Sequence, residues 1–224
     1  MDLLDLDRKT LDVTRAYVAG TRTEQLGLPT PCAEWDVRAL LNHVLGNNDL
    51  YAAGAAGEPI DWDERNRDRV GDDPLAAYDR SAAAVTAAFA AADPATEISF
   101  PFGVIPAQQA VAVHFVDILV HGWDLAVATG QDPALPDDLA EAALAVVALY
   151  PPDVWGTPQF FADKIASSAD APAYVRLVKH VGRTPSAPAA PDVAKPARRS
   201  RRTGRSGWGA GGVGSPTARQ CRAR

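Results

Sequence analysis

Apolar side chains recur every three or four residues through most of the first 185 residues, and prolines or glycines separate the repeats. This period places the apolar residues on one face of an α-helix. A convincing strand pattern is confined to residues 98–105. The sequence therefore predicts several amphipathic helices that bury their apolar faces against one another.

Six helices are predicted, and capping residues or prolines mark several of their ends. Asp36 is a good N-cap for the second helix, Gly130 ends the fourth, and Tyr150-Pro151-Pro152 stops the fifth. The predicted helices run from Leu4 to about Ala19, from near Asp36 through the core positions Val37 to Leu45, from Leu75 to Phe89, from about Ala107 to Ala128, from Asp137 to about Leu149, and from near Asp170 to before Gly182.

The segment ISFPFGVIP, residues 98–106, has strand-type residues between turn residues and predicts a short extended excursion or hairpin. Everything else in the first 185 residues is helix or loop. On the first helix, the buried stripe is expected to carry Leu4, Leu11, Thr14 and Val18. The expected fold class is all-α, a helical bundle with short joints.

Charge divides the chain into two unlike parts. The formal net charge is −6, but residues 1–185 hold 13 of the 22 Lys and Arg residues and 27 of the 28 Asp and Glu residues. Residues 186–224 are basic, rich in Pro, Gly, Ser and Arg, and without helical periodicity, which predicts disorder. We therefore expect one helical domain over 1–185 and a disordered basic tail over 186–224, either a genuine extension or a frameshift product.

Composition excludes several classes of protein. Two cysteines are too few for a disulfide scaffold or a four-cysteine zinc module. The acidic N-terminus MDLLDLDRKT lacks the apolar region of a secretory signal, and the uncharged run over residues 98–116 contains prolines that exclude one apolar membrane helix. The acidic body would repel a phosphate backbone, so nucleic acid is not an expected partner of the tail. We expect a cytoplasmic protein, a monomer or homodimer, acting on a small molecule away from membranes.

The fourth predicted helix, in VAVHFVDILVHGWDLA, carries the residues that indicate chemistry. On a helical wheel His114, Asp117, His121 and Asp124 fall within about an 80° arc. Asp117 and His121 are four residues apart, a spacing that lets two side chains on adjacent turns bind one ion.

His43 is the natural third ligand, because it lies in the middle of the second helix beside the apolar stripe. Two nitrogens and one carboxylate leave a position open for water or substrate, as in catalytic metal sites. The same residues also fit a metal-free alternative, in which each histidine is satisfied by a carbonyl or carboxylate and Asp117 and His121 form an ordinary helical pair.

Three motifs carry a resemblance to a known family: TPCAEWDVRALLNHVLG, then HFVDILVHGWDLAVATG, then the ending Gly182-Arg183-Thr184-Pro185. Over about residues 4–185 the chain resembles the metal-binding domain of mycothiol-dependent maleylpyruvate isomerase. More closely, it resembles the stand-alone actinobacterial metal-binding proteins of that group, within the DinB-like superfamily.

The resemblance implies a DinB-like four-helix bundle with up-down-down-up connectivity and a divalent metal, usually zinc or nickel. Carried over residue by residue, the metal ligands are His43, Asp117 and His121. The chain departs from the isomerase in two respects. Asp117 stands where the isomerase has glutamate, and the second, C-terminal domain of the isomerase has no counterpart in the matching motifs.

Two functions from different classes follow. The first is a metal-dependent transferase or isomerase in which a low-molecular-weight thiol, mycothiol by the resemblance, attacks a small electrophilic molecule after the metal lowers the thiol pKa. The second is a non-enzymatic metal-binding or sensing protein. An open fourth metal position facing a pocket favours the enzyme, whereas a fourth protein ligand favours a closed site.

Residues near the candidate ligands have alternative interpretations. Asp124 is expected either to orient His121 or to face solvent. His114 is expected to be a reserve ligand or a proton-shuttling neighbour or, more simply, a satisfied core or rim histidine. Asn47 could line the same cavity, being one turn beyond His43. Cys32 is expected to pack structurally and away from the metal, since it precedes His43 by eleven residues, about 16 Å along a helix axis. Trp35 is expected to anchor the helix entrance, and Trp123 to line the cavity or pack in the core.

Overall fold

The computed structural model describes residues 2–100, 103–149 and 162–185. Six α-helices and one two-stranded sheet follow one another along these residues. The helices are α1 (Leu3–Ala19), α2 (Val37–Ala55), α3 (Pro74–Ala91), α4 (Ala107–Thr129), α5 (Asp137–Ala148) and α6 (Ala173–His180), and the strands β1 (Glu97–Phe100) and β2 (Gly103–Pro106) precede α4. The predicted all-α fold is confirmed, with a small sheet added. The up-down-down-up connectivity of four helices stays a prediction.

Local sequence explains most of the helix ends. Asp36 caps α2 as predicted, because its Oδ1 accepts a hydrogen bond from the Ala39 amide at 2.8 Å. Gly130 adopts the left-handed conformation that ends α4, with φ of 73°. The start of α6 was predicted near Asp170 but lies after Pro172, since a proline disfavours helical geometry at the residue before it. The proline stop at residues 150–152 and the predicted tail at 186–224 lie outside the described residues.

Residues 98–106 form the predicted hairpin. β1 and β2 pair antiparallel, with Ile98 opposite Ile105. Ile98 is buried against the helices, so the hairpin closes one end of the apolar core.

The central helix is α4, which lies between two apolar clusters. One cluster joins α4 to α1, α2, α3 and the hairpin, and the other joins it to α5 and α6. Trp123 belongs to the second cluster, so it packs in the core, one of its two predicted roles. α4 is also the one described helix long and apolar enough to cross a membrane, but 83% of its most apolar window is buried inside the protein, as expected for a core helix.

The apolar stripe predicted for α1 is correct except at its first residue. Leu11, Thr14 and Val18 are buried, whereas Leu4 is 44% exposed. Leu4 lies in the first turn, where the Asp2 carboxylate accepts a hydrogen bond from its amide, and the side chain projects to solvent there. Farther along, α1 packs against α4 at Gly122, where an added Cβ would lie 2.6 Å from Thr14 Oγ1.

Candidate metal centre

The two helices predicted to carry metal ligands pack against each other and bring those ligands together. α2 contributes His43, and α4 contributes Asp117 and His121. One ligand atom from each of the three lies within 4.8 Å of the other two. The side chains of His43 and His121 are almost fully buried, whereas Asp117 keeps 19% of its side chain exposed, so the cluster is reachable from solvent on its Asp117 side.

The three side chains converge without forming close hydrogen bonds to one another. His43 Nε2 lies 3.6 Å from Asp117 Oδ2, and His121 Nε2 lies 3.4 Å from Asp117 Oδ1. The two imidazole rings meet edge to face with centroids 4.8 Å apart. Nitrogen and oxygen ligands bound tetrahedrally at about 2.1 Å lie about 3.4 Å from each other, so these spacings fit a small divalent ion between them.

Asn47 belongs to the same cluster, as its position one turn beyond His43 predicted. Its Nδ2 donates a hydrogen bond to Asp117 Oδ2 at 2.7 Å and lies 3.0 Å from His43 Nε2. Its Oδ1 is buried without a hydrogen-bond partner among the described residues. A buried acceptor of this kind is costly unless something else satisfies it, which agrees with a cation or a bound ligand in the cluster.

Trp35 covers the two histidines. Its ring centroid lies 4.6 Å from that of His43 and 5.8 Å from that of His121, and the residue is 7% exposed. The loop before α2 folds back to place it, with Thr30 Oγ1 donating to the Trp35 carbonyl at 2.9 Å. The sequence predicted an anchor at the helix entrance but gave no sign of these ring contacts, because they depend on the path of a proline-containing loop.

Asp124 orients His121, which decides between its two predicted roles. The side chain is fully buried, and its Oδ2 lies 3.0 Å from His121 Nδ1. A carboxylate on Nδ1 keeps that nitrogen protonated and leaves Nε2, the nitrogen near Asp117, to bind an ion. The alternative in which Asp124 faces solvent is wrong.

Burial and charge act differently on the three candidate ligands. Burial lowers the pKa of His43 to about 4. Burial acts on His121 in the same direction, but the charges of Asp117 and Asp124 outweigh it and raise the pKa of His121 to about 9. Burial would raise the pKa of Asp117, yet its histidine neighbours hold that pKa well below the usual value. At neutral pH one imidazole is therefore neutral, while the other shares a proton with two carboxylates.

His114 does not join the cluster. Its Nδ1 lies 2.6 Å from Asp7 Oδ1, its Nε2 lies 3.0 Å from Asn48 Oδ1, and the side chain is fully buried. Asn48 in turn donates to Ser81 Oγ at 3.0 Å. His114 is thus a satisfied core histidine, the simpler of its two predicted roles. The helical wheel placed it on the right face but could not show that α1 and α2 supply its partners.

Cys32 lies closer to the candidate ligands than the helix-axis estimate suggested. Its Sγ is 3.3 Å from Asp124 Oδ2, the oxygen that also lies 3.0 Å from His121 Nδ1. The estimate was wrong because Cys32 precedes α2 in a loop that folds back over α4. The Arg183 guanidinium already occupies this place, with Nη2 3.0 Å from Asp124 Oδ2 and 3.6 Å from Cys32 Sγ. A second cation there would be repelled, so the group around Asp117 fits a metal better.

Arg65 adds positive charge beside the cluster and was not anticipated from sequence. It lies in the 3-10 segment Trp62–Asn66, which packs on α2 at Gly46, one turn beyond His43. Burial lowers the pKa of Arg65, and the charge of Asp117 acts against that shift. The Nε of Arg65 is buried without a hydrogen-bond partner among the described residues. An unsatisfied guanidinium nitrogen near the cluster is a potential site for an anionic group.

Comparison with known proteins places these residues in a family. The family described as mycothiol maleylpyruvate isomerase N-terminal domain matches residues 8–126, which include His43, Asp117, His121 and Asp124. An uncharacterized protein of Mycobacterium tuberculosis, found in strains CDC 1551 and H37Rv, is 36% identical over 187 residues, which cover 82% of this chain and 99% of that protein.

Two solved structures share the fold. They are crystal structures of the mycothiol-dependent maleylpyruvate isomerase and of a point mutant of it. Each superimposes with a TM-score of 0.53 over 66% of this chain and 68% of the other, at 19% sequence identity. The predicted resemblance is confirmed: this chain belongs to the mycothiol maleylpyruvate isomerase N-terminal domain family.

Proposed function

We propose that His43, Asp117 and His121 hold one divalent metal ion, with zinc as the first choice and nickel as the alternative. The observation that carries the proposal is the convergence of these three side chains at spacings of 3.4 and 3.6 Å that suit tetrahedral ligands rather than hydrogen bonds. Asn47, whose Nδ2 contacts two of these side chains and whose Oδ1 has no hydrogen-bond partner among the described residues, supports it.

The donor set favours chemistry over a closed structural site. Among the described residues, the group around Asp117 contains two histidines and one carboxylate, the composition of catalytic zinc sites that keep a position for water or substrate. The exposed edge of Asp117 leaves that position reachable. When bound, the metal supplies Lewis acidity that lowers the pKa of a coordinated thiol.

Each neighbouring side chain then has a definite task. Asn47 donates to Asp117 and fixes its carboxylate, and Asp124 holds His121 so that Nε2 faces the centre. Trp35 covers the imidazoles and excludes water from that side. These tasks prepare a site in which a thiolate attacks an electrophile.

We further propose a mycothiol-type thiol as co-substrate and a small electrophile that carries negative charge. The family supports the thiol, since its description and the isomerase of known structure both name mycothiol. Arg65 supports the charge, because its guanidinium interacts electrostatically with Asp117 and His43 and its Nε has no hydrogen-bond partner among the described residues. The reaction is then a thiol transfer to, or a thiol-assisted isomerisation of, an unsaturated acid.

Activity of the zinc-loaded protein tests this function. Mycothiol is supplied with cis-unsaturated acids and, in parallel, with their methyl esters, with and without a chelator. We expect turnover of the acids that the chelator abolishes, and Arg65→Met should lose the preference for acid over ester. Arg67→Met, a change at an exposed arginine of the same loop, is the matched control and should retain it.

The second candidate is a non-enzymatic metal-binding or sensing protein. It would be favoured if the zinc-loaded protein turned over no acid or ester with any thiol while binding the ion tightly. X-ray absorption of the bound metal separates the two directly, because a fourth protein ligand would indicate a closed site and a bound water an open one.

A further inference from the structure

Arg183 is a fully buried arginine in the segment that follows α6. It stands three residues beyond the helix, after Gly182, whose φ of 79° turns the chain inward. The Arg183 amide donates to the Val178 carbonyl at 2.8 Å, which fixes the backbone of this turn on the end of α6. A completely buried guanidinium is rare and needs strong partners, so its contacts indicate what it is for.

The main partner of Arg183 is Asp124 on α4. Nη2 donates to Asp124 Oδ2 at 3.0 Å and Nε approaches Oδ1 at 3.3 Å, the two-pronged arrangement that a planar guanidinium forms with a carboxylate. Nη1 donates to the Val181 carbonyl at 3.0 Å, and this hydrogen bond further fixes the orientation of the guanidinium. Both oxygens of Asp124 are thereby held.

Asp124 passes this constraint on to His121. The same Oδ2 that accepts from Arg183 lies 3.0 Å from His121 Nδ1, and the opposite ring nitrogen faces Asp117 at 3.4 Å. A connected line of buried groups thus runs from the end of the described chain, through Asp124, to a candidate metal ligand.

We propose that Arg183 is a positioning residue of the metal centre, and that the Gly182-Arg183 turn after α6 is needed for full metal affinity. This inference rests on the proposed metal centre. Arg183 locks the Asp124 carboxylate in the orientation that presents His121 Nε2 to the ion.

The geometry predicts that charge alone will not suffice. A lysine ammonium is a point charge and cannot contact both Asp124 oxygens in the plane of the carboxylate. Arg183→Lys therefore keeps the positive charge but loses the two-pronged contact with Asp124, whereas Arg183→Met loses both.

The test measures zinc affinity, by competition with a chromogenic chelator, and the absorption spectrum of the cobalt(II)-substituted protein, which reports ligand geometry. Leu177→Ala is the matched control, because Leu177 is fully buried in α6 and its apolar side chain donates no hydrogen bond to Asp124, so its loss opens a cavity only. We expect Arg183→Lys and Arg183→Met to weaken zinc binding by about 10- to 100-fold and to alter the cobalt spectrum. Leu177→Ala should lower the melting temperature yet keep zinc affinity within about twofold.

Variants of Arg183 that lose thermal stability but keep the zinc affinity and cobalt spectrum of the wild type would overturn the inference, since Arg183 would then be a structural anchor only. If Arg183→Met fails to fold, Arg183→Lys and Asp124→Asn decide the question by the same two measurements. A wild-type protein that binds no zinc would instead contradict the proposed centre itself, and the inference with it.

Discussion

The protonation states of His121 and His43 determine how many protons a metal must displace from this site. In the folded metal-free protein the pKa of His121 is raised to about 9, so this imidazole holds a proton at neutral pH that it would lack with its ordinary pKa of about 6.5. The pKa of His43 is lowered to about 4, so His43 is already neutral. A metal at Nε2 of His121 must displace one proton, whereas His43 releases none.

Zinc binding between pH 6 and 8 should therefore release about one proton from the ligands, and the binding constant should rise about tenfold for each unit of pH. The sign follows from the raised pKa, because protons compete less with the metal as the pH approaches 9. Calorimetry in two buffers of different ionisation enthalpy measures the proton count. An affinity that does not change over this range, with no proton released, would show that His121 either is not a ligand or carries no proton before the metal binds.

His114 and Asp7 should affect stability without affecting metal content. Removing the imidazole leaves the buried Asp7 carboxyl and Asn48 Oδ1 without a hydrogen-bond partner, so His114→Ala should lower the free energy of unfolding by about 3 kcal/mol. Denaturation in urea measures the loss, and elemental analysis of the folded fraction should still show one zinc per chain. A zinc content below one ion per folded chain would restore His114 as a ligand.

At the scale of elements, the site depends on how closely the 3-10 segment Trp62–Asn66 approaches α2. An added Cβ at Gly46 would lie 1.8 Å from the Arg65 carbonyl oxygen, so no side chain fits there without movement of the backbone. Asn42 holds the same loop, since its Oδ1 accepts from the amides of Arg69 and Val70 at 2.7 and 3.1 Å. A glycine and an asparagine on α2 thus place Arg65 beside the cluster.

Gly46→Ala should consequently destabilise the protein by about 2 kcal/mol, as expected when a packed contact is overfilled. Gly27→Ala is the matched control, because an added Cβ there meets nothing within 4 Å, and it should change stability by less than about 0.5 kcal/mol. Thermal and urea denaturation measure both. Equal stability of the two variants would contradict the close approach of this segment to α2.

Elements are also the scale at which prediction from sequence worked best. The caps at Asp36 and Gly130 and the spacing of Asp117 and His121 depend on local chemistry, and the structure confirms the helices they imply. The contacts of Trp35, Arg65 and Arg183 depend on loops that fold back over helices. Helical periodicity and residue spacing do not specify the path of a loop. The contacts of these three residues could therefore be seen only in the structure.

For the whole molecule, one architecture explains where the candidate centre lies. α4 is buried between two apolar clusters, so its polar residues can remain inside only if they find partners. α1 and α2 supply the partners of His114, α2 supplies a partner of Asp117, and the turn after α6 supplies one of Asp124, while His121 contacts both carboxylates from within α4. The division into a domain over 1–185 and a tail over 186–224 stays a prediction.

The metal content of the purified protein decides whether His43, Asp117 and His121 hold an ion. Elemental analysis at neutral pH, after removal of loosely bound ions, is predicted to find one divalent ion per chain in the wild type and to find it lost in His121→Ala. The proposed metal centre would be contradicted if the folded wild-type protein contained no stoichiometric ion and also bound none when zinc or nickel was added.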